Sequence, residues 1–265
     1  TLLGAGLIQA VVGLWQFVGR GEGPEAFLIS GRLYRACGTF QQPNPYAGFV
    51  GMVAAVAVGL SVGMWTDWFD RDDAETGWVT VRRLLVSAAA LALVGGLVAS
   101  WSRGGWMGFG SAVLVMAALY PRRGGWGVIG GVALLAAGWT AYQSGWLPSS
   151  VSERMTGFLA YTQFSDVRGV AVTDASYAVL ERMAHWQAAL GMWRDRFWLG
   201  VGLGCYEPAY PAYRLVNWPL ALGHAHNAYL NLLAETGLLG LLAYLLWLGL
   251  WGWRLVATSR RHTGW

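Results

Sequence analysis

The sequence predicts an all-α fold: a polytopic integral membrane helical bundle with a long helical extracytoplasmic loop. Three observations carry that expectation. Of 265 residues, 55% are hydrophobic and 12% charged, about half the charged share of a soluble domain. Apolar runs recur at close to the ~20 residues that a bilayer-crossing helix needs. The chain holds 17 Trp, a residue that gathers at membrane–water interfaces.

Taken in order, residues 2–18 are a first, short span and 19–44 a polar, Gly-rich loop. Residues 45–65 form the second span, where Gly48, Gly51, Ala54, Ala55 and Gly59 allow close helix approach. Residues 66–83 are a charged loop, and its Asp67–Glu75 run reads as a solvated face. The third span, 84–100, is followed by a short break, Trp101-Ser102-Arg103-Gly104-Gly105, and a fourth span, 106–120, closed by Pro121-Arg122-Arg123. Residues 125–142 make the fifth. The extracytoplasmic loop region, 143–227, is expected to lack a hydrophobic core of its own. Its best periodic stretch, 176–198, predicts an amphipathic helix with an aromatic side, lying on the membrane surface or capping the bundle. A sixth span, 228–253, leads into a basic cytoplasmic tail ending at 265. The chain opens at Thr1 without a signal peptide and stops at Gly264-Trp265, so it reads as a fragment of a longer multispanning protein.

All 18 basic residues are arginine. The short flanks with Arg82-Arg83, Arg122-Arg123 and Arg254–Arg261 are taken as cytoplasmic by the positive-inside bias. Arg35, Arg103 and His226, from three separate parts of the chain, then all fall on the outer face near span ends. The net charge of +4 is spread out, with no basic block interleaved with aromatics, which excludes nucleic acid as a partner.

Each of these residues has two readings. Arg35, ahead of Pro43-Asn44-Pro45, either snorkels to headgroup phosphates or grips a substrate diphosphate with its forked guanidinium. The two prolines suggest an extended lead-in to the span. Arg103, beside Gly104-Gly105, is an anchor on an outer turn or a ligand contact that the glycines leave room for. In Gly223-His224-Ala225-His226-Asn227, an interfacial helix cap competes with a general base. His226 is the obvious base, and His224 could share the role. A zinc site would need Cys205 with Glu207 or Glu235 to converge, and no second metal-spaced cluster exists, so no metal or other cofactor is expected. Cys37 and Cys205 allow one disulfide without arguing for it. Glu235, inside the sixth span, reads as a structural partner of an arginine more than as a proton relay. Gly200-Val201-Gly202-Leu203-Gly204 reads as a flexible bend, since no strand precedes it.

Four features together resemble the O-antigen ligase and O-antigen polymerase family of bacterial membrane glycosyltransferases. They are Arg35-Ala36-Cys37-Gly38-Thr39-Phe40 leading to Pro43-Asn44, and Ser102-Arg103-Gly104-Gly105 between spans. The third is the outer loop with Glu181-Arg182, Trp186 and Gly200-Val201-Gly202. The last is His226-Asn227, nine residues, and Gly237-Leu238-Leu239-Gly240. The resemblance implies that Arg35 and Arg103 bind the diphosphate of an undecaprenyl-linked glycan, with Arg182 as a third contact and His224 and Asn227 beside the substrate. It implies that His226 deprotonates an acceptor hydroxyl on a lipid, glycan or protein, with inversion and without metal. It places the enzyme in the bacterial inner membrane with its site facing the periplasm. Ligase, polymerase and, outside the enzymes, a bicarbonate-type transporter are the competing functions.

Overall fold

The computed structural model describes residues 1–20, 23–29, 31–69, 77–119, 133, 136–138, 140, 141, 143–146, 166–172 and 176–262. The chain divides into two compact units, Thr1–Met155 and Thr156–Trp265. Described residues are mostly helical; a two-stranded antiparallel ribbon, β1 (Leu28–Ile29) with β2 (Leu33–Tyr34), is the exception. Pro43–Thr66, Gly77–Ala99 and Ala228–Thr258 are long and apolar enough to cross a bilayer, and Leu2–Val18 is a shorter apolar helix.

The first unit holds α1 (Leu2–Val18), α2 (Pro43–Phe69), α3 (Gly77–Ala99) and α4 (Arg103–Ala118). Its core joins Ala10, Ala47, Val50, Val53, Ala54, Ala57, Leu93 and Leu97. Alanine dominates, as expected where lipid offers helices no hydrophobic contrast and close backbone approach must hold them together. Tyr46 is the large exception, its fully buried ring filling the space left by Gly13 and Gly96. Ile8, Trp15, Met52 and Leu91 face outward.

The helix bounds differ from the expected spans. Pro43 and Pro45 do not bracket an extended lead-in; they occupy the first turn of α2, where an amide has no intrahelical acceptor and proline costs little. α3 begins at Gly77, not 84, and takes in Arg83, which is buried with its guanidinium 5.8 Å from the centre of the Trp65 ring. α4 begins at Arg103 with Ser102 as its N-cap, so the expected turn residue is a helix residue. Most of the expected fifth span, 125–142, lies outside the described residues, as do 70–75 of the charge run.

The second unit holds α5 (Tyr177–Asp195), α6 (Tyr206–Tyr213) and α7 (Ala228–His262). The section expected to lack a core has two buried clusters. One joins Val179, Leu180, Met183 and Ala184 with Val167 and Trp218. The other joins Ala188, Ala189 and Met192 with Tyr206, Tyr210, Ala225 and Ala234. Periodicity in 176–198 gives only α5's share; the partners arrive from α6, from loops and from α7.

α7 is not one straight rod. Gly237 leaves the helix with φ 66° and ψ −166°. That break frees backbone groups, and the segment after α5 takes them up. Leu238 N donates to Phe197 O at 2.9 Å and Leu239 N to Trp198 O at 3.3 Å, while Val201 N and Gly202 N donate to Ala234 O and Glu235 O, each at 2.9 Å. Gly200, Gly202 and Gly204 all have positive φ. The expected flexible bend is therefore a bend tied down by backbone hydrogen bonds. Glu235 is 8% exposed, and its Oε1 accepts from Tyr206 N at 3.1 Å, satisfying the first amide of α6. Its role is structural, as the sequence suggested, through a helix terminus in place of the arginine expected there.

A Cβ at Gly237 would land on the Trp198 carbonyl, and its φ and ψ belong to a region that is essentially glycine's alone, at about 1–3 kcal/mol otherwise. Gly237→Ala is expected to lower the thermal midpoint of the detergent-solubilised protein and to speed amide exchange at Val201, Gly202, Leu238 and Leu239. An unchanged midpoint with unchanged exchange would show that the backbone ties do not depend on this glycine.

Candidate active site

In the first unit, two glutamines on one face of α1 shape the loop that carries Arg35. Gln16, itself buried, accepts from Cys37 N at 3.0 Å and Gly38 N at 2.7 Å and donates to Gly38 O at 2.9 Å. Gln9 accepts from Thr39 N at 3.0 Å and donates to Thr39 Oγ1 at 2.8 Å. Ala36 N donates to Ala99 O at 2.9 Å, drawing the loop against the end of α3. Arg35 Nε then reaches Ser100 O at 2.9 Å, and its Nη2 donates to Asn44 Oδ1 at 3.3 Å. Ser102 Oγ donates to the same Asn44 oxygen at 3.0 Å. Asn44 thus ties Arg35 to the residue that caps α4 ahead of Arg103. The sequence signal for the glutamines was present, two polar residues seven apart in an apolar helix, but their partners could not be read from it.

Arg103 opens α4, and a cation there faces the positive end of the helix dipole, an arrangement unfavourable by ~0.3–1 kcal/mol unless an anion is bound. The first amides of a helix lack intrahelical partners and suit a phosphate. Gly104 has open space where a Cβ would stand. Burial pushes the Cys37 thiol up, which makes it a poor nucleophile. Cys37 and Cys205 are both free thiols.

In the second unit, the loop before α7 coils tightly: Leu222, Gly223 and His226 take φ of 51°, 74° and 51°. Ala225 N donates to Asn231 Oδ1 at 3.0 Å, and Asn227 Oδ1 accepts from Tyr229 N at 3.0 Å and Leu230 N at 3.2 Å. The helix cap weighed from sequence is real, and Asn227 supplies it. That leaves the imidazoles for other work. His226 N donates to His224 Nδ1 at 3.2 Å. That nitrogen of His224 is thus engaged as an acceptor. His226 is under no such constraint from this contact, which separates the two as bases.

The His226 ring lies edge-on to His224 at 4.4 Å and to His185 at 5.4 Å between ring centres. Desolvation, then His224, His185 and Arg182, hold its pKa down to about 4. Arg182, expected as a third substrate contact, stands close enough on α5 to act on the His226 charge. Sequence reasoning missed His185. It is three residues after Arg182 and so on the same helix face, a signal that was legible but unused. Among the described residues, no three of His, Cys, Asp or Glu are arranged to hold a metal ion.

Residues 88–245 match the family model described as O-antigen ligase. No curated protein and no solved structure matches the chain.

Burial also holds the His185 pKa down to about 4, against about 6.5 in an unfolded chain. Between these values the unfolded state binds protons that the folded state refuses, so stability falls as pH drops through the window. The thermal midpoint is expected to decline from about pH 6.5 to 5, above the main carboxylate range, and to decline less steeply in His185→Phe. Equal slopes in the two proteins would remove His185 from the effect.

Proposed function

The chain belongs to the O-antigen ligase family, and on that premise we propose that it moves a glycan from undecaprenyl diphosphate to an acceptor hydroxyl on the periplasmic side of a bacterial inner membrane. The observation that carries this reading is His226. It is a neutral imidazole in a left-handed backbone conformation that side chains rarely adopt, held there by the His224 contact and the Asn227-capped helix. Backbone strain of this kind, about 1–3 kcal/mol, collects at functional sites.

In the proposed reaction His226 takes the proton of the acceptor hydroxyl as its oxygen forms a bond to the anomeric carbon. The bond from that carbon to the diphosphate oxygen breaks on the opposite face, so configuration inverts. Undecaprenyl diphosphate leaves with the bonding electrons, and His226 returns its proton to solvent. Arg35 and Arg103 stabilise the charge that grows on the leaving diphosphate, with the N-terminus of α4 assisting. The cation placed against the positive end of α4 supports this role, since an anionic ligand would relieve that repulsion. Arg182 serves as a third contact to the substrate, with His224 and Asn227 beside it. An imidazole with a pKa near 4 is a weak base but is fully deprotonated at neutral pH, ready to take a proton.

The test uses the membrane-reconstituted protein with an undecaprenyl-diphosphate-linked glycan, with and without a candidate acceptor, and gel separation of products. A single acceptor-dependent shift, lost in His226→Ala, is expected. A ladder formed from glycan alone would mean polymerase, and equal products from wild type and His226→Ala would sink the base assignment. Arg103→Ala is expected to lower kcat by about 10²-fold, with part restored in Arg103→Lys. For kcat/KM, which reports the free enzyme, the acidic limb is expected near pH 4; a limb near 6.5 would mean that His226 is solvated in the unliganded protein.

A further inference from the structure

His185 is 1% exposed, a titratable ring in the middle of the second unit's core. Such a group is expensive to bury unless its polar atoms are satisfied. Its Nδ1 lies 2.9 Å from the Tyr206 hydroxyl, and that hydroxyl donates to the His185 carbonyl oxygen at 3.3 Å. Tyr206 has one proton to give. Both contacts are satisfied together only when that proton goes to the carbonyl and Nδ1–H donates to the phenol oxygen. The pair therefore selects one tautomer of His185, with the lone pair on Nε2. One face of the ring stacks on Tyr210 at 4.6 Å between centres, and Tyr210 is pinned in turn by its hydroxyl donating to Trp218 O at 2.9 Å. The remaining contact of note is the edge-on meeting with His226.

We infer that His185, set by Tyr206 and Tyr210, is a positioning residue for His226, orienting its imidazole and keeping water from the inner side of the ring; the inference rests on His226 being the base. A hydrophobic residue would fill the same space, but it would leave the Tyr206 oxygen without its donor and present no imidazole to the His226 ring. The chain accepts a buried imidazole where phenylalanine would pack without that burden, and the ring it touches is the one whose orientation the reaction needs. Desolvation is the first cause of the low pKa of both rings; His185 is buried, and His226 stays exposed on the side away from it.

The experiment compares wild type, His185→Ala, Tyr206→Phe and His226→Ala in the membrane-reconstituted protein, with the glycan-transfer assay and its pH dependence. His185→Ala is expected to lower kcat about 10- to 100-fold, as small misplacements of catalytic groups do, with KM for the lipid-linked donor within about twofold. Its acidic limb in kcat/KM is expected to move up from near pH 4 toward 6.5, because water enters beside His226, and added imidazole is expected to recover part of the rate. Tyr206→Phe removes one oxygen, keeps the core filled, and is expected to lower kcat in the same sense but less. A rate defect without movement of the limb or rescue would assign His185 to folding alone and overturn the inference. Wild-type kcat and limb in both variants, beside an inactive His226→Ala, would overturn it while leaving the base assignment standing. Full activity in His226→Ala would remove both.

Discussion

A helix that breaks must find partners for the backbone groups it releases, and in an apolar setting water cannot supply them. Gly237 creates this problem inside α7, and the segment from Phe197 to Gly202 resolves it by giving and taking hydrogen bonds on both sides of the break. Much of the second unit follows. The segment is the direct continuation of α5, so α5 is tethered to α7 at that point. α6 starts just beyond it, with its first amide on the Glu235 carboxylate two residues before the break. The loop with His224 and His226 caps the other end of the same short helix. One glycine conformation therefore conditions the surroundings of His185, His224 and His226.

The helices of this chain were legible because apolar run length is a strong signal, and Leu2–Val18 lands where it was expected. Their ends were less so. Arg82 and Arg83 look like loop residues by charge, yet Arg83 buries its stem and sets its guanidinium over Trp65, a contact no local pattern announces. Arg103 looked like a turn residue because Ser102, one position before it, was not recognised as a cap. The core around Leu180 and Met192 stayed hidden because it is completed by Trp218, Tyr206 and Ala234, each isolated in sequence.

The candidate site was readable in part for the same reasons. Arg35, Arg103 and His226 stand out because charge and titratable groups are scarce in this composition. Their supports do not stand out. Gln9 and Gln16 act largely through backbone atoms of distant residues, and Asn44 accepts from two side chains, Arg35 and, 58 positions further along, Ser102. His185 was obscured by the opposite cause: it lies in an ordinary-looking helix, and its importance comes from Tyr206 and His226, which only the fold brings near. The two units also treat charge differently. The first gathers guanidinium groups at a helix start, which favours an anion; the second buries His185 and leaves His224 and His226 exposed beside it.

The break in α7 also explains the nine residues between Asn227 and Gly237. Asn227 is the cap and Gly237 is the break, so the interval is the whole of a short helix, residues 228–236. At 1.5 Å per residue that helix is about 13.5 Å long and makes about 2.5 turns. It works as both spacer and phase setting. One inserted residue would lift His226 by ~1.5 Å and also swing it by ~100° about the axis, turning it from His185 and Arg182 toward a different side of the molecule. A spacing of this sort resists insertion far more than length alone would require, because it encodes a direction.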